Sequence, residues 1–175
     1  MNLKDVIREI PDFPKKGILF FDLTTICTNP DAYKYSLDDF EKQFKAKGIT
    51  RIAAVDARGF LFGGALADRL NLPLTVIRKK GKLPYKTISA SYELEYGTDT
   101  LEMHIDSVDK GDKVAVIDDL LATGGTLDAS CRMVEELGGE VALVAVVAEL
   151  TFLPGRKKLA KYDLYSQVKY DSEAC

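Results

Sequence analysis

The stretch that decides the fold reads Val114-Ala-Val-Ile-Asp-Asp-Leu-Leu-Ala-Thr-Gly-Gly-Thr-Leu127. Its apolar, β-branched start predicts a buried strand over residues 113–117. Two adjacent carboxylates end the strand, and a small turn over residues 122–126, the Gly-Gly turn, leads into a helix predicted over 125–137. Ligands of parallel α/β sheets bind beyond the carboxyl ends of the strands. We therefore expect a binding site at this turn.

Strand and helix patterns alternate on both sides of this stretch. The predicted strands cover residues 51–55, 72–77, 101–105 and 141–148, and the predicted helices cover 31–47 and 60–70. Near-continuous apolar strands separated by helices are typical of a parallel sheet covered on both faces. Residues 78–98 interrupt the pattern, since Lys, Gly, Ser and Tyr are frequent there. We predict that this segment forms a long functional loop.

The composition is that of an ordinary globular chain. Its 175 residues and 19.3 kDa fit one domain over residues 1–175, with 46% apolar and 29% charged residues. Lys and Arg number 24 against 27 Asp and Glu, which gives a formal net charge of −3. A weakly acidic chain lacks the basic field on which nucleic-acid binding usually depends, so no nucleic-acid partner is expected.

Neither a membrane span nor a disulfide framework is expected. No apolar run reaches the roughly 20 residues that cross a bilayer, and the charged start of the chain does not resemble a signal peptide. Cys27, Cys131 and Cys175 form an odd, widely spaced set without a CxxC pair, and His104 is the single histidine. These features favour a cytoplasmic protein with reduced thiols and no His-rich metal site.

The Gly-Gly turn and the carboxylates before it together predict a sugar-phosphate site. Two glycines at a helix N-terminus expose backbone N–H groups at the positive end of the helix dipole, and Thr123 and Thr126 add hydroxyl donors. Asp118 and Asp119 would repel a polyphosphate but can accept hydrogen bonds from vicinal ribose hydroxyls. Neither GxxxxGK[ST] nor GxGxxG occurs. We predict a ribose 5-phosphate site; alternatively, the acids merely end a strand and the glycines merely turn.

Residues 117–126 resemble the phosphoribosyl pyrophosphate motif of the type I phosphoribosyltransferases, and four other blocks resemble the adenine phosphoribosyltransferase family. The blocks are Pro11-Asp-Phe-Pro-Lys-Lys-Gly-Ile-Leu-Phe-Phe-Asp22, Asp56-Ala-Arg-Gly-Phe-Leu-Phe-Gly63, Arg78-Lys-Lys-Gly-Lys-Leu-Pro84 and Tyr92-Glu-Leu-Glu-Tyr-Gly97. They follow the family's order and cover nearly the whole chain. The resemblance implies an α/β fold with a central, mostly parallel sheet flanked by helices, a small N-terminal hood and a flexible catalytic loop.

The resemblance also implies the family's reaction, in which adenine and 5-phosphoribosyl 1-pyrophosphate give AMP and pyrophosphate in a homodimer with Mg²⁺. Asp118 and Asp119 would bind the ribose hydroxyls. The 5′-phosphate would lie on Ala122, Thr123, Gly124, Gly125 and Thr126. Mg²⁺ would have no direct protein ligand and would be held mainly by substrate oxygens.

For the pyrophosphate the resemblance implies a site rich in cations, which would stabilise the leaving group. Its residues would be Ala57, Arg58, Arg78, Lys79 and Lys82. One residue of the basic segment 78–82 would reach in from the partner subunit. Alternatively, the lysines of this segment form only a solvated face. The family further implies a cis peptide bond between Asp56 and Ala57.

For the base, the resemblance assigns the segment Gly17-Ile-Leu-Phe-Phe-Asp22. Phe20 would stack on adenine, and backbone groups of Leu19 and Phe21 would distinguish a 6-amino from a 6-oxo purine, because the hydrogen-bond pattern inverts between them. Alternatively, one of the two phenylalanines is core. Many members carry Arg at the position of Phe21, so this chain keeps the backbone groups at that position but lacks the cation that could contact a phosphate there.

Glu95 and Arg58 are the catalytic candidates that the resemblance implies. Glu95 would handle the base proton as N9 attacks C1′, and Arg58 would face the departing pyrophosphate. Tyr96 would help to close the site when the loop over residues 79–98 closes.

Two other functions are compatible with the Gly-Gly turn. A phosphoribosyltransferase for a 6-oxopurine (xanthine, hypoxanthine or guanine) would share it, although the Phe20 segment and residues 94–97 favour adenine. A non-catalytic regulator that binds the sugar pyrophosphate would usually require an appended DNA-binding domain, for which 175 residues leave no space.

Overall fold

The computed structural model describes residues 1–172, so Cys175 lies outside the described residues. The strands are β1 (Arg8–Pro11), β2 (Leu19–Asp22), β3 (Arg51–Val55), β4 (Leu74–Lys79), β5 (Thr87–Glu93), β6 (Thr98–His104), β7 (Lys113–Leu121), β8 (Glu140–Leu150) and β9 (Leu164–Tyr170). The helices are α1 (Thr24–Cys27), α2 (Pro30–Ala46), α3 (Gly59–Leu70), α4 (Gly125–Glu136) and α5 (Gly155–Lys158), after a 3₁₀ turn over Leu3–Asp5. Within residues 1–172 no helix has the length and apolar character needed to cross a membrane.

A seven-stranded sheet forms the centre, in the strand order β5-β6-β4-β3-β7-β8-β9. The five strands β4, β3, β7, β8 and β9 run parallel, while β5 and β6 add an antiparallel hairpin at one edge. Strands β1 and β2 form a separate two-stranded antiparallel sheet, the hood. The predicted central, mostly parallel sheet and the small N-terminal hood are thereby confirmed.

The segment 78–98 is not a loop throughout, so that prediction is wrong. Its middle part forms β5, which pairs along its whole length with β6. In β5 only Ala90 is buried, opposite Leu101, while the polar side chains are partly or fully exposed. An edge strand with one covered face needs few apolar residues, and for this reason its composition resembles that of a loop.

Sequence signals account for the ends of α2. The side chain of Asn29 accepts a hydrogen bond of 3.1 Å from the backbone N–H of Ala32, and Pro30 occupies the first helical position. After the last turn, Gly48 adopts a φ of +63°, a conformation that glycine enters without a Cβ penalty. The helix therefore covers nearly the residues predicted for it.

Both faces of the central sheet are covered, because alternate strand residues point to opposite sides. Ile52 and Ala54 of β3 pack into a core cluster with α2 and α3, whereas Ala53 and Val55 pack into a second cluster with α4. Phe62 of α3 is fully buried in the first cluster. Burial of such a side chain contributes about 1.5–3 kcal/mol to stability.

Two glycines bring α3 so close to the sheet that its N-terminus lies at the carboxyl ends of β3 and β7. A Cβ on Gly63 would lie 2.6 Å from the Cβ of Ala54, and a Cβ on Gly59 would lie 2.9 Å from the carbonyl oxygen of Ile117. No side chain fits at either position, so the helix backbone packs directly on the strands. This packing places Arg58, the residue before α3, beside the end of β7.

Candidate active site

A cleft of about 210 Å³ opens where the carboxyl ends of β3, β4 and β7 meet. This is the position at which ligands of α/β sheets bind. The residues that line it are Asp56, Ala57, Arg58, Lys79, Tyr92, Leu101, Asp118, Asp119 and Thr126. The structure therefore brings together the predicted carboxylates, two of the predicted cations and one threonine of the Gly-Gly turn.

The two carboxylates at the end of β7 are differently held. Asp119 is 4% exposed and accepts a hydrogen bond from Nε of Arg58. Asp118 uses its Oδ1 to accept a hydrogen bond of 2.8 Å from the backbone N–H of Asp119. Burial and the neighbouring charge of Asp119 raise the pKa of Asp118 well above its usual value. A ligand that donates hydrogen bonds to Asp118 would stabilise its charged form.

The Gly-Gly turn surrounds a smaller cavity of about 90 Å³, lined by residues 120–127 and Asp118. Helix α4 begins at this turn, with Gly124 as its N-cap at a φ of +85°. Gly124 has no side chain that could accept hydrogen bonds from the first backbone N–H groups of α4, so these groups are left for a ligand. Such groups, at the positive end of the helix dipole, suit a phosphate.

The predicted cations are not equally close to the cleft. Arg58 and Lys79 line it, and Lys79 pairs with Asp99. Arg78 donates through Nε to the Asp56 carboxylate at 3.0 Å and so lies beside the cleft. Lys82 is exposed in the turn that follows β4 and does not line the cleft.

The turn after β3 has the backbone conformation that the family resemblance predicts. The peptide bond between Asp56 and Ala57 is cis, so that prediction is confirmed. Both residues line the cleft, next to Arg58.

The predicted base segment lies in the hood and does not line the cleft. Phe21 is core: it is 5% exposed and stacks on Tyr170 with ring centroids 3.8 Å apart. Phe20 is partly exposed and meets Phe13 edge-on, with centroids 5.1 Å apart. Leu19 is partly buried beside it. Of the two phenylalanines, Phe20 is the one whose ring is available to a ligand.

The hood nevertheless adjoins the carboxylate end of the cleft. Leu23, Thr24 and Cys27, which follow β2, line a small apolar gap together with Arg58 and Asp119. The segment that carries Phe20 therefore continues into residues that line the same gap as the ion pair of Arg58 and Asp119.

Glu95 and Tyr96 lie at the tip of the β5–β6 hairpin and not in the cleft. Both are exposed, Tyr96 to 86%. Just below the tip the hairpin is anchored on α4, since Arg132 donates to the carbonyl oxygen of Ser91 at 2.9 Å. The tip that carries Glu95 makes no such contact with α4 among the described residues.

Sequence reasoning missed Tyr92 and Asp99 as parts of the site. They face each other in the β5–β6 register, and both contact Lys79: Nζ of Lys79 lies 3.0 Å from the Tyr92 hydroxyl and pairs with the Asp99 carboxylate. Tyr92 also packs against Gly125, whose Cβ would lie 2.8 Å from its ring. The signal that could have found them is the alternating pattern of β5, which the loop prediction overlooked.

Comparison with known proteins gives an independent result. Residues 32–172 match the family model of the phosphoribosyl transferase domain. The chain is 51% identical over 169 residues to the adenine phosphoribosyltransferase of Maridesulfovibrio salexigens, and the alignment covers 97% of this chain and 99% of that relative.

Solved structures agree with this match. The crystal structure of adenine phosphoribosyltransferase from Thermoanaerobacter pseudethanolicus superposes with a TM-score of 0.92 at 52% identity, covering 96% of this chain and 98% of that one. The enzyme from Saccharomyces cerevisiae, complexed with D-2,5-dideoxy-2,5-imino-altritol 1,6-bisphosphate and adenine, superposes with a TM-score of 0.90 at 37% identity, covering 94% and 96%.

Proposed function

Because the chain belongs to the phosphoribosyltransferase family, and within it to the adenine phosphoribosyltransferases, we infer that it transfers the 5-phosphoribosyl group of 5-phosphoribosyl 1-pyrophosphate to N9 of adenine. The products are AMP and pyrophosphate, so the activity is adenine salvage. The observation that carries this function is the cleft in which a carboxylate pair lies between a cation and the Gly-Gly turn.

The sugar end of the substrate binds at β7 and the turn that follows it. The carboxylates of Asp118 and Asp119 accept hydrogen bonds from the ribose hydroxyls, which offsets the cost of keeping Asp118 charged. The 5′-phosphate lies on the Gly-Gly turn, at residues 122–126, where backbone N–H groups and the threonine hydroxyls donate to it.

The pyrophosphate end lies against the cations on the other side of the cleft. Arg58 and Lys79 contact it directly, and the backbone at Ala57 lies alongside. Arg78 and Lys82 complete the basic surface next to them. These charges stabilise the leaving group as the bond between C1′ and the pyrophosphate oxygen breaks.

The residues of the cleft suit Mg²⁺ bound through the substrate rather than through a protein cage. Within residues 1–172 no group of three or more His, Cys, Asp or Glu side chains is arranged to hold a metal ion. Mg²⁺ prefers few protein ligands and keeps waters and phosphate oxygens in its octahedral shell. When bound with the diphosphate, it neutralises charge on the leaving group.

The base binds under the hood. Phe20 stacks on adenine, and the backbone of Leu19 and Phe21 distinguishes the 6-amino group from a 6-oxo group. The tip of the hairpin first closes over the site. N9 then attacks C1′ as pyrophosphate leaves, and the carboxylate of Glu95 accepts the proton that adenine loses. Tyr96, highly exposed in the structure, covers the closed site.

Three further properties belong to this proposal. The chain forms one phosphoribosyltransferase domain over residues 1–175 and acts as a homodimer, in which a residue of the segment 78–82 reaches the partner subunit's cleft. It works in the cytoplasm. Free thiols at Cys27 and Cys131 suit a reducing compartment.

A transfer assay with four bases tests the function. The purified chain is incubated with 5-phosphoribosyl 1-pyrophosphate, Mg²⁺ and either adenine, hypoxanthine, guanine or xanthine. We expect nucleotide from adenine alone. Turnover of a 6-oxopurine would contradict the assignment of the base segment. Binding of the sugar pyrophosphate without turnover of any base would indicate a regulator.

A further inference from the structure

We propose that Glu149, Arg156 and Ser166, which we call the Glu149 cluster, are positioning residues that hold the Gly-Gly turn in the shape that binds the 5′-phosphate. None of the three lines the cleft. The inference rests on the proposed function, because it takes the Gly-Gly turn as the phosphate site.

The Gly-Gly turn rests directly on the start of α5. A Cβ on Gly155 would lie 2.4 Å from the carbonyl oxygen of Ala122, and a Cβ on Gly124 would lie 3.0 Å from the Cα of Gly155. Backbone therefore meets backbone, with no flexible side chain between them to absorb a displacement. A shift of Gly155 by a few tenths of an ångström would shift Ala122 and Gly124 with it.

Helix α5 needs an external support, because its four residues form a single turn. The support is a bidentate ion pair. Nε and Nη2 of Arg156 donate to the two carboxylate oxygens of Glu149 at 2.6 and 2.7 Å. Two parallel hydrogen bonds fix the orientation of the guanidinium as well as its distance, so they fix the helix residue that carries it.

Glu149 is itself fixed on both sides. It is the second-last residue of the long strand β8, and its register partner on β7 is Leu121, the residue directly before the Gly-Gly turn. From β9, the hydroxyl of Ser166 donates to Oε2 of Glu149 at 2.7 Å. The Glu149 cluster thus joins β8, β9 and α5 immediately beneath the turn.

The carboxylate of Glu149 is a buried charge, and within residues 1–172 Arg156 and Ser166 donate side-chain hydrogen bonds to it. The residue is 1% exposed, and burial acts to raise its pKa, but the hydrogen bonds from Arg156 and Ser166 lower the pKa below its usual value. Only the Glu149 side of this ion pair is buried, since about half of the Arg156 side chain is exposed. Such a pair gives little net stability, because taking the carboxylate out of water offsets much of the attraction. Its contribution here is therefore geometric: it selects one position for α5 and, through Gly155, one shape for the turn.

The test compares Arg156→Lys with a control that removes the same chemistry elsewhere. Arg156→Lys keeps the charge but loses the bidentate geometry. The control is Arg51→Lys. Arg51 donates to Asp112 and Asp109, and its side chain is only 11% exposed. It lies at the amino end of β3, so it is at the end of the sheet opposite the cleft. Both substitutions remove an arginine that bridges carboxylates or helix and strand, but only Arg156 supports the Gly-Gly turn.

The probes are ribose 5-phosphate and inorganic pyrophosphate, titrated calorimetrically onto the full chain in the presence of Mg²⁺. For Arg156→Lys we expect the affinity for ribose 5-phosphate to fall about tenfold, as for the loss of a hydrogen bond to a charged group. The affinity for pyrophosphate should stay within twofold (about 0.4 kcal/mol) of wild type. For Arg51→Lys both affinities should equal those of wild type, although the melting temperature falls.

A second variant, Ser166→Ala, removes one hydrogen bond to Glu149 and leaves the ion pair in place, so it remains informative if Arg156→Lys does not fold. We expect it to lower the affinity for ribose 5-phosphate several-fold and to leave the affinity for pyrophosphate unchanged. If the variants melt at a lower temperature but keep wild-type affinity for ribose 5-phosphate, this inference is wrong, while the proposed phosphate site is unaffected. A wild-type chain that binds no ribose 5-phosphate would overturn the proposed phosphate site and this inference with it.

Discussion

Nε of Arg58, at the start of α3, donates a hydrogen bond to the buried carboxylate of Asp119 at the end of β7. The proposed pyrophosphate cation and one of the proposed ribose acids are therefore a single ion pair. About half of the Arg58 side chain is exposed, whereas that of Asp119 is almost inaccessible. The guanidinium thus has donors left for a ligand in the cleft while it neutralises the carboxylate beneath it.

Replacement of Arg58 by glutamine should lower the affinity for pyrophosphate and leave the buried charge of Asp119 without its compensating cation. A hydrogen bond to a charged group is worth about 1.5–3 kcal/mol, so we expect the Kd for pyrophosphate to rise about 10- to 100-fold. Calorimetric titration measures this. Arg69→Gln is the control, since Arg69 lies near the other end of α3 and pairs with the exposed Asp38. Equal effects of the two substitutions would contradict the role of Arg58.

Asp118→Asn should make the folded chain more stable at neutral pH and remove its activity. The pKa of Asp118 is raised in the folded chain, so over the interval between ~3.9 and the raised value the folded state keeps a proton that the unfolded state has released. The stability of wild type falls as the pH rises through that interval, and the variant avoids this loss.

The variant should therefore melt at a higher temperature than wild type above the raised pKa, by about 2–4 °C for each kcal/mol, and at nearly the same temperature near pH 4. Thermal unfolding across the pH range measures the difference. A variant that is less stable than wild type at pH 7 would show that the charge of Asp118 is already compensated in the free protein.

Glu95→Gln should lower kcat and leave the KM values for adenine and 5-phosphoribosyl 1-pyrophosphate nearly unchanged. Glutamine keeps the size of the side chain but cannot take up a proton, and general acid–base catalysis contributes about 10²–10⁴-fold. Glu93→Gln is the matched control, since Glu93 is an exposed glutamate two residues away on the same hairpin. Steady-state kinetics of both variants separate them, and an unchanged kcat for Glu95→Gln would remove this residue from the proton path.

Gly63→Ala and Gly64→Ala should have opposite effects on stability although the residues are adjacent in α3. The new methyl group at position 63 would lie 2.6 Å from the Cβ of Ala54, whereas position 64 has no atom within 4 Å. We expect a loss of about 1–3 kcal/mol for Gly63→Ala. Gly64→Ala should gain up to ~1 kcal/mol from helix propensity.

Urea unfolding of the two variants measures these free energies. The gain at position 64 controls for the helix itself. Equal stability of the two variants would contradict the close packing of α3 on β3 that places Arg58 at the cleft.

The parts of the site that the sequence predicts well are local. A buried strand, two carboxylates, a glycine pair and a helix start lie within residues 114–127, so their mutual positions follow from the geometry of one strand–turn–helix unit. Asp118, Asp119 and the Gly-Gly turn are therefore found where they were expected.

The parts that the sequence does not predict depend on contacts between distant segments. Tyr92 reaches the cleft because the β5–β6 register sets it opposite Asp99. The alternating pattern of β5 could have indicated a strand, but it does not specify which residue of β6 each of its residues faces. Phe21 becomes core because its ring stacks on Tyr170, which lies almost 150 positions further along the chain. Local propensity contains no information about such pairs.

A crystal structure of the chain with AMP tests the central claim most directly, because it locates phosphate, ribose and base at once. We expect the 5′-phosphate on the backbone N–H groups of residues 123–126, the ribose hydroxyls within hydrogen-bond distance of Asp118 and Asp119, and the adenine ring against Phe20. A phosphate bound away from the Gly-Gly turn, with both carboxylates still free of the ribose, would contradict the account.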